Sequence, residues 1–266
     1  MFDELSVNGL VQGHIVYAQD TIGRHVAIKL VKGGSEEDKI LHLLAAQLDL
    51  KPDNFSSIIP ILELLPCNDH WFAIMPRSMG FYYLFASSTD ILLGGATYDL
   101  REQNLLVNHF SNASMSSMKF NDFRWELLKR GDIRCTITDF DFLILLDEET
   151  YGPNPRLSIL NANVGGDFPP YESMHGHIDY DPFKYDVALL GIHFCNRFQS
   201  IILRVPLLAL LINCMVTSKL DKRFTVQEAL AFADSIVPTV SPETKILKVA
   251  PVGTLLRSQV RITQCA

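Results

Sequence analysis

The hydrophobic repeat changes once along this chain, from the two-residue period of strands to the 3.6-residue period of helices, and few folds accommodate that order. Near the front, a weakly alternating stretch from His14 to Ala18 precedes the run Val26-Ala27-Ile28-Lys29-Leu30-Val31, with a turn over Asp20 to Gly23 between them. Two strands around such a turn predict a hairpin. After Gly33-Gly34, Ser35 is an N-cap candidate with Asp38 as its capping-box partner, and Ile40, Leu41, Leu44 and Leu48 give the helix an apolar stripe. Ile58 to Leu65 and Trp71 to Met75 read as two more strands, joined by the turn Pro66-Cys67-Asn68-Asp69. Cys135 to Leu146 reads as a strand running into a loop, and Tyr151 to Pro182, rich in Gly, Pro and Asn, as a long loop. From Phe183 onward the helical spacing dominates, over Tyr185 to Arg197, Leu207 to Val216 and Thr225 to Ile236. Thr225 and Glu228 stand at capping-box spacing. A β-rich front and a helical back predict an α+β fold of two lobes, 1–77 and 78–240, with residues 241–266 as a tail.

Composition narrows the function classes. Apolar residues make up 48 % of the 266 residues and charged residues 20 %, enough for a sizeable core. The formal net charge of −7 argues against a nucleic-acid partner, which calls for a basic face. A nucleotide site needs only a few local cations and is not excluded. The five cysteines are odd in number and form no CxxC pair, so a reducing compartment is expected. The most apolar stretch, Ile201 to Val216, is interrupted by Arg204, Pro206 and Asn213 and reads as a buried helix, not a membrane span. The opening MFDELSVNGL lacks a secretory pattern, so cytosol or nucleus is the expected place and no membrane partner is expected. No dimerisation helix stands out, and the chain is expected to act as a monomer.

Several polar residues could carry phosphoryl chemistry. That reaction needs a cation for the phosphates, carboxylates or amides for a metal ion, and a carboxylate to orient the attacking hydroxyl. Lys29 lies in a strand pattern and could point into a cleft; an edge-strand lysine in solvent is the plainer reading. Glu36 and Glu37 open the next helix, where acids are also favoured by the helix dipole. Asp99 and Asn104 share one short loop that could present a carboxylate and an amide from the same side; an ordinary polar loop would look the same. Asp139 ends a strand, where turns also favour Asp.

Taken in order, these strings resemble the protein kinase superfamily. Val26-Ala27-Ile28-Lys29 matches its third strand, and Glu37-Asp38-Lys39-Ile40-Leu41 fits its helix frame. Asp99-Leu100-Arg101-Glu102-Gln103-Asn104 resembles the catalytic loop, and Asp139-Phe140-Asp141 the DFG segment with Asp141 in place of glycine. Pro169-Pro170-Tyr171-Glu172, Asp186-Val187-Ala188-Leu189-Leu190-Gly191 and Asp221-Lys222-Arg223-Phe224-Thr225 resemble the end of the activation segment, the central helix and the closing helical motif. The resemblance spans residues 15 to 235 and implies a two-lobed kinase-like fold, with a small β-rich N-lobe carrying one helix and a larger, mainly helical C-lobe. It implies ATP and Mg²⁺ as cofactors. Lys29 would hold the phosphates, paired with Glu37; Asp99 would orient the hydroxyl; Arg101 would steady the γ-phosphate; Asn104 and Asp139 would hold the metal. Asp186 would anchor the catalytic-loop backbone, and Arg223 would meet Glu172. The DFD variant with an insertion before it is similar to kinase-like proteins abundant in fungi.

Four features depart from that pattern. There is no GxGxxG around the first hairpin, only Gly9, Gly13 and Gly23. Thr97-Tyr98 replaces the His-Arg before the catalytic Asp. Between Met75-Pro76 and Asp99 there is room for about half of the usual stretch, so the helix that supports the loop is missing or cut short. Asn108 to Arg134 is an insertion. Three functions are therefore open: transfer of the γ-phosphate to a protein Ser or Thr hydroxyl, a pseudokinase that binds without transfer, and a small-molecule phosphotransferase.

Overall fold

The structure is a computed structural model that describes residues 15–19, 21, 23–46, 58–80, 95–96, 104–107, 126, 130, 135–141, 143–146, 148–162 and 170–245. Its architecture is α+β, with antiparallel strands in front and helices behind. Strands β1 (Ile15–Gln19) and β2 (His25–Lys32) form the expected hairpin, in register from Ile15 opposite Lys29 to Gln19 opposite His25. Helix α1 (Glu36–Ala46) follows, then β3 (Glu63–Cys67) and β4 (His70–Pro76). The four strands make one sheet in the order β1-β2-β4-β3. The turn between β3 and β4 shrinks to Asn68-Asp69, with Asn68 at φ 52°, a left-handed conformation that Asn tolerates better than most residues.

β2 is an inner strand, and its alternation decides what each side chain meets. Val26 packs with Ala18 and Ile74 on one face, while Val31 packs with Ile40 and Leu41 of α1 on the other. Lys29 shares the Val31 face by the two-residue period, so it points toward α1 and is buried. Ser35 Oγ accepts from Asp38 N at 3.1 Å, as its sequence position predicts. The reciprocal arm differs: Asp38 Oδ2 accepts from Gly34 N, not from Ser35 N. Ile40 and Leu41 are buried as expected, Leu44 packs against them, and Leu48 lies outside the described residues.

The strand expected from Ile58 to Leu65 begins only at Glu63. Pro60 has no N–H for a ladder, which explains the late start. Ile58, Ile59 and Ile61 serve the core instead, and Ile59 N donates to Ile137 O at 3.0 Å.

Short strands lead into the back of the molecule. β5 (Met79–Gly80), β7 (Leu105–Val107) and β8 (Cys135–Ile137) form one antiparallel sheet, and β6 (Gly95–Ala96) pairs with β9 (Ile144–Leu145). The segment read as a long loop carries more structure than expected. A helical turn α2 (Glu148–Tyr151) leads into it, and it holds strand β10 (Leu157–Ser158), turn α3 (Tyr171–Met174) and strand β11 (Asp179–Tyr180), which pairs with β10. Buried Leu157 and Tyr180 anchor that pair in a small apolar cluster with Tyr185.

Three longer helices complete the back. α4 (Pro182–Ile202) starts on Asp181, whose carboxylate accepts from Lys184 N at 3.1 Å, with Pro182 in the first turn where no N–H is needed. It extends beyond the expected Tyr185 to Arg197. The apolar run Ile201 to Val216 is thus divided between α4 and α5 (Pro206–Val216), with Pro206 starting the second helix. α6 (Val226–Ile236) carries the full capping box: Thr225 Oγ1 accepts from Glu228 N, and Glu228 Oε2 accepts from Thr225 N. A last turn, α7 (Pro242–Lys245), lies at the start of the expected tail. Among the described residues no helix is long and apolar enough to cross a membrane.

Gly191 sets how closely α4 and α5 approach. A Cβ there would stand 2.7 Å from Val216 Cγ1 and 2.8 Å from Met215 Cβ. Helix propensity alone favours Ala over Gly by about 1 kcal/mol. Overpacking costs about 1–3 kcal/mol, so Gly191→Ala is expected to destabilise on balance. Urea unfolding measures it; a more stable variant would show that α5 simply moves aside.

Candidate functional site

The front sheet, α1 and the segment after β8 converge on one ammonium. Lys29 comes from the middle of β2, opposite Ile15 on one side and Ala73 on the other. Its Nζ donates to Glu37 Oε1 at 2.6 Å, to Asp139 Oδ1 at 2.7 Å and to Asp141 Oδ1 at 2.6 Å. Glu37 is thus the acid that meets Lys29. Glu36, one residue earlier, faces solvent and pairs with Lys39.

Local backbone explains how Asp139 and Asp141 reach the same point. Asp139 sits at φ 69°, a left-handed conformation that costs most side chains about 1–2 kcal/mol and Asp less. Phe140, 2 % exposed, is held in the core. Leu143 N then donates to Phe140 O at 3.1 Å and closes a turn that contains Asp141. Carboxylates two residues apart are brought by this reversal to one ammonium.

Three carboxylates around one ammonium leave two excess negative charges if all ionise. Burial pulls the Lys29 ammonium down, but the charge of Glu37 and the bonds to Asp139, Asp141 and Glu37 more than offset it, so Lys29 stays above the ordinary lysine range. Burial pushes the Glu37 carboxyl up, and its hydrogen bond with Asp141 adds to that; Lys29 pulls the other way, and the carboxyl ends at about 8. Glu37 therefore holds its proton more readily than an ordinary glutamate.

Oxygens of Glu37, Asp139 and Asp141 all lie within 4.8 Å of one another, close enough for hard oxygen ligands to share one divalent cation. Asn104 is buried beside them in chain terms: its carbonyl accepts from Thr138 N at 3.0 Å, the residue before Asp139. The β7–β8 pairing, Leu105 opposite Ile137, creates that proximity. Asp99 and Arg101 lie outside the described residues, as do Thr97, Tyr98 and all of the insertion except Glu126 and Arg130.

A second polar centre lies in the back. Arg223 Nη1 donates to Glu172 Oε1 at 2.5 Å and Nη2 to Glu172 Oε2 at 3.1 Å, a two-pronged pair 51 residues apart in sequence. Nε and Nη2 also donate to Thr217 O, and Nη1 to Lys184 O. The contact expected between Arg223 and Glu172 is present. Asp186 lies in the first turns of α4, and of the loop it was expected to anchor only Asn104 is among the described residues.

The residue that sequence reasoning missed is Asp141, noted only as a replacement for glycine. The signal was the Asp-x-Asp spacing at the end of a strand, where one turn can aim both carboxylates at a common cation. Scans of the chain against protein-family models and against curated proteins gave no match.

Proposed function

We propose that this chain is a protein-kinase-like domain that binds Mg-ATP and moves the γ-phosphate to a Ser or Thr hydroxyl of a protein substrate. The observation that carries the reading is the meeting of Lys29, Glu37 and Asp139 from three separate elements within hydrogen-bond distance. The Arg223–Glu172 pair adds support from the back of the molecule, because the same resemblance calls for both contacts.

In this reading Lys29 supplies the cation for the phosphates and Glu37 fixes its direction. Asp139, with Asn104, would hold Mg²⁺, and the hard oxygen donors gathered here suit that ion. When bound, the metal supplies charge neutralisation on the phosphate oxygens. Asp99 would orient the hydroxyl, and Arg101 would add positive charge at the γ-phosphate.

The second reading is a pseudokinase, a nucleotide-binding module without transfer. It is favoured by Asp141, which occupies the third donor of Lys29, and by the absence of a GxGxxG pattern.

Thermal unfolding with and without millimolar Mg-ATP tests binding, since a ligand that binds only the folded state raises the midpoint. A shift in the wild type that Asp139→Asn greatly reduces is expected. Transfer of labelled γ-phosphate to a mixed peptide library, absent in Asp139→Asn, would favour the enzyme; a shift without transfer would favour the module. No shift at all would remove nucleotide from both readings.

A further inference from the structure

Among the described residues at Lys29, Asp141 has no task in the transfer reading. A lysine ammonium has three N–H donors and no more. On Lys29 each has a carboxylate partner: Glu37, Asp139 and Asp141, at 2.6, 2.7 and 2.6 Å. The three are not held alike. Glu37 projects from α1 and its side chain is 11 % exposed, whereas that of Asp141 is 47 % exposed and sits on a turn.

A phosphate oxygen arriving at Lys29 finds no donor until one carboxylate leaves. Asp141 is the most exposed of the three and belongs to no helix or strand. From this geometry we infer that Asp141 is an internal competitor for the phosphate position on Lys29, so that a nucleotide binds only by displacing its carboxylate. The inference rests on the reading of this cleft as a nucleotide site and adds a selection rule to it. A ligand with a single negative charge gains nothing by replacing one carboxylate with another anion. A nucleoside di- or triphosphate brings more charge and more acceptors, and wins the exchange. The device would hold the cleft closed to small anions and open to polyphosphates.

The contact is testable by near-isosteric variants. Mg-ATP binding is measured by calorimetry on the wild type, Asp141→Asn and Glu37→Gln, with Asp141→Gly as a second removal of the competitor. Labelling of Lys29 by an amine-reactive ester is followed in parallel by mass spectrometry. Asp141→Asn is expected to bind Mg-ATP roughly tenfold more tightly, the factor that corresponds to one charge-assisted hydrogen bond. Lys29 should also label faster. Glu37→Gln takes the carboxyl from the partner that orients Lys29, and it should bind no more tightly than wild type. That difference separates displacement of Asp141 from the loss of any one contact to Lys29. A wild type that binds Mg-ATP, with Asp141→Asn and Asp141→Gly binding no better, would overturn the competitor role and leave the nucleotide reading standing. No binding by any of the four proteins would end the nucleotide reading and the competitor role with it.

Discussion

Arg223→Ala is expected to lower the unfolding free energy by about 3–5 kcal/mol, the usual cost of stranding one member of a buried ion pair. Arg223 is 2 % exposed and Glu172 1 %, so water cannot take over the carboxylate. The loss goes beyond one pair. The guanidinium also serves the carbonyls of Thr217 and Lys184, which ties the α5–α6 connection and the start of α4 to the turn at Glu172. Arg223→Lys should recover little, because an ammonium cannot make the two-pronged contact and reach both carbonyls. Urea unfolding measures both variants; a loss below about 1 kcal/mol for Arg223→Ala would mean that Glu172 finds another partner.

Lys29→Met should destabilise the fold by a similar amount, about 3–5 kcal/mol, with the loss growing above about pH 8. The sign follows from Glu37. Its folded-state carboxyl stands at about 8, raised from an ordinary value of 4.5. The stability this provides is complete below the ordinary value and is lost as pH rises through the folded one. Between the two, the folded chain keeps a proton that the unfolded chain releases, and stability falls with pH by at most about 1.4 kcal/mol per unit. Lys29, raised in its turn, contributes stability that is complete below the ordinary lysine value and lost only above it, outside this window. Wild-type stability should therefore decline from about pH 5 to about pH 8. Without the ammonium, Glu37 loses the charge that pulls it down, so its folded value rises further and the decline continues past about pH 8 at the same slope. Denaturation of both proteins at several pH values measures the gap between them. A gap that does not widen above about pH 8 would mean that the three carboxylates separate once Lys29 is gone.

The elements most legible in the sequence are those with a local cause. The first hairpin, α1 and its Ser35 cap, and the Thr225–Glu228 capping box follow from neighbouring residues and need no tertiary information. The Lys29–Glu37 and Arg223–Glu172 contacts were legible only through a resemblance, because nothing local at Arg223 names a partner 51 residues away. What the sequence hid is instructive. Pro60 removed a donor and moved a strand start, although the isoleucines around it looked like strand. The β10–β11 pair is only two residues long on each side and exists because Leu157 and Tyr180 are buried together. The place of Asp141 on Lys29 depends on the left-handed backbone at Asp139, which the Asp-x-Asp spacing allows but does not dictate.

The apolar cluster beneath the front sheet does not stop at the end of that sheet. Val31, Ile40, Leu41 and Met75 continue through Ile58, Ile59 and Ile61 to Ile137, Phe140 and Leu143, and Leu189 and Leu190 of α4 pack against it. A hinge that parted front from back would lift these side chains into water, at about 25 cal/mol for each Å² exposed. Sliding keeps them covered. Relative motion of the two halves is thereby steered toward shear, in small lateral steps, and away from gaping.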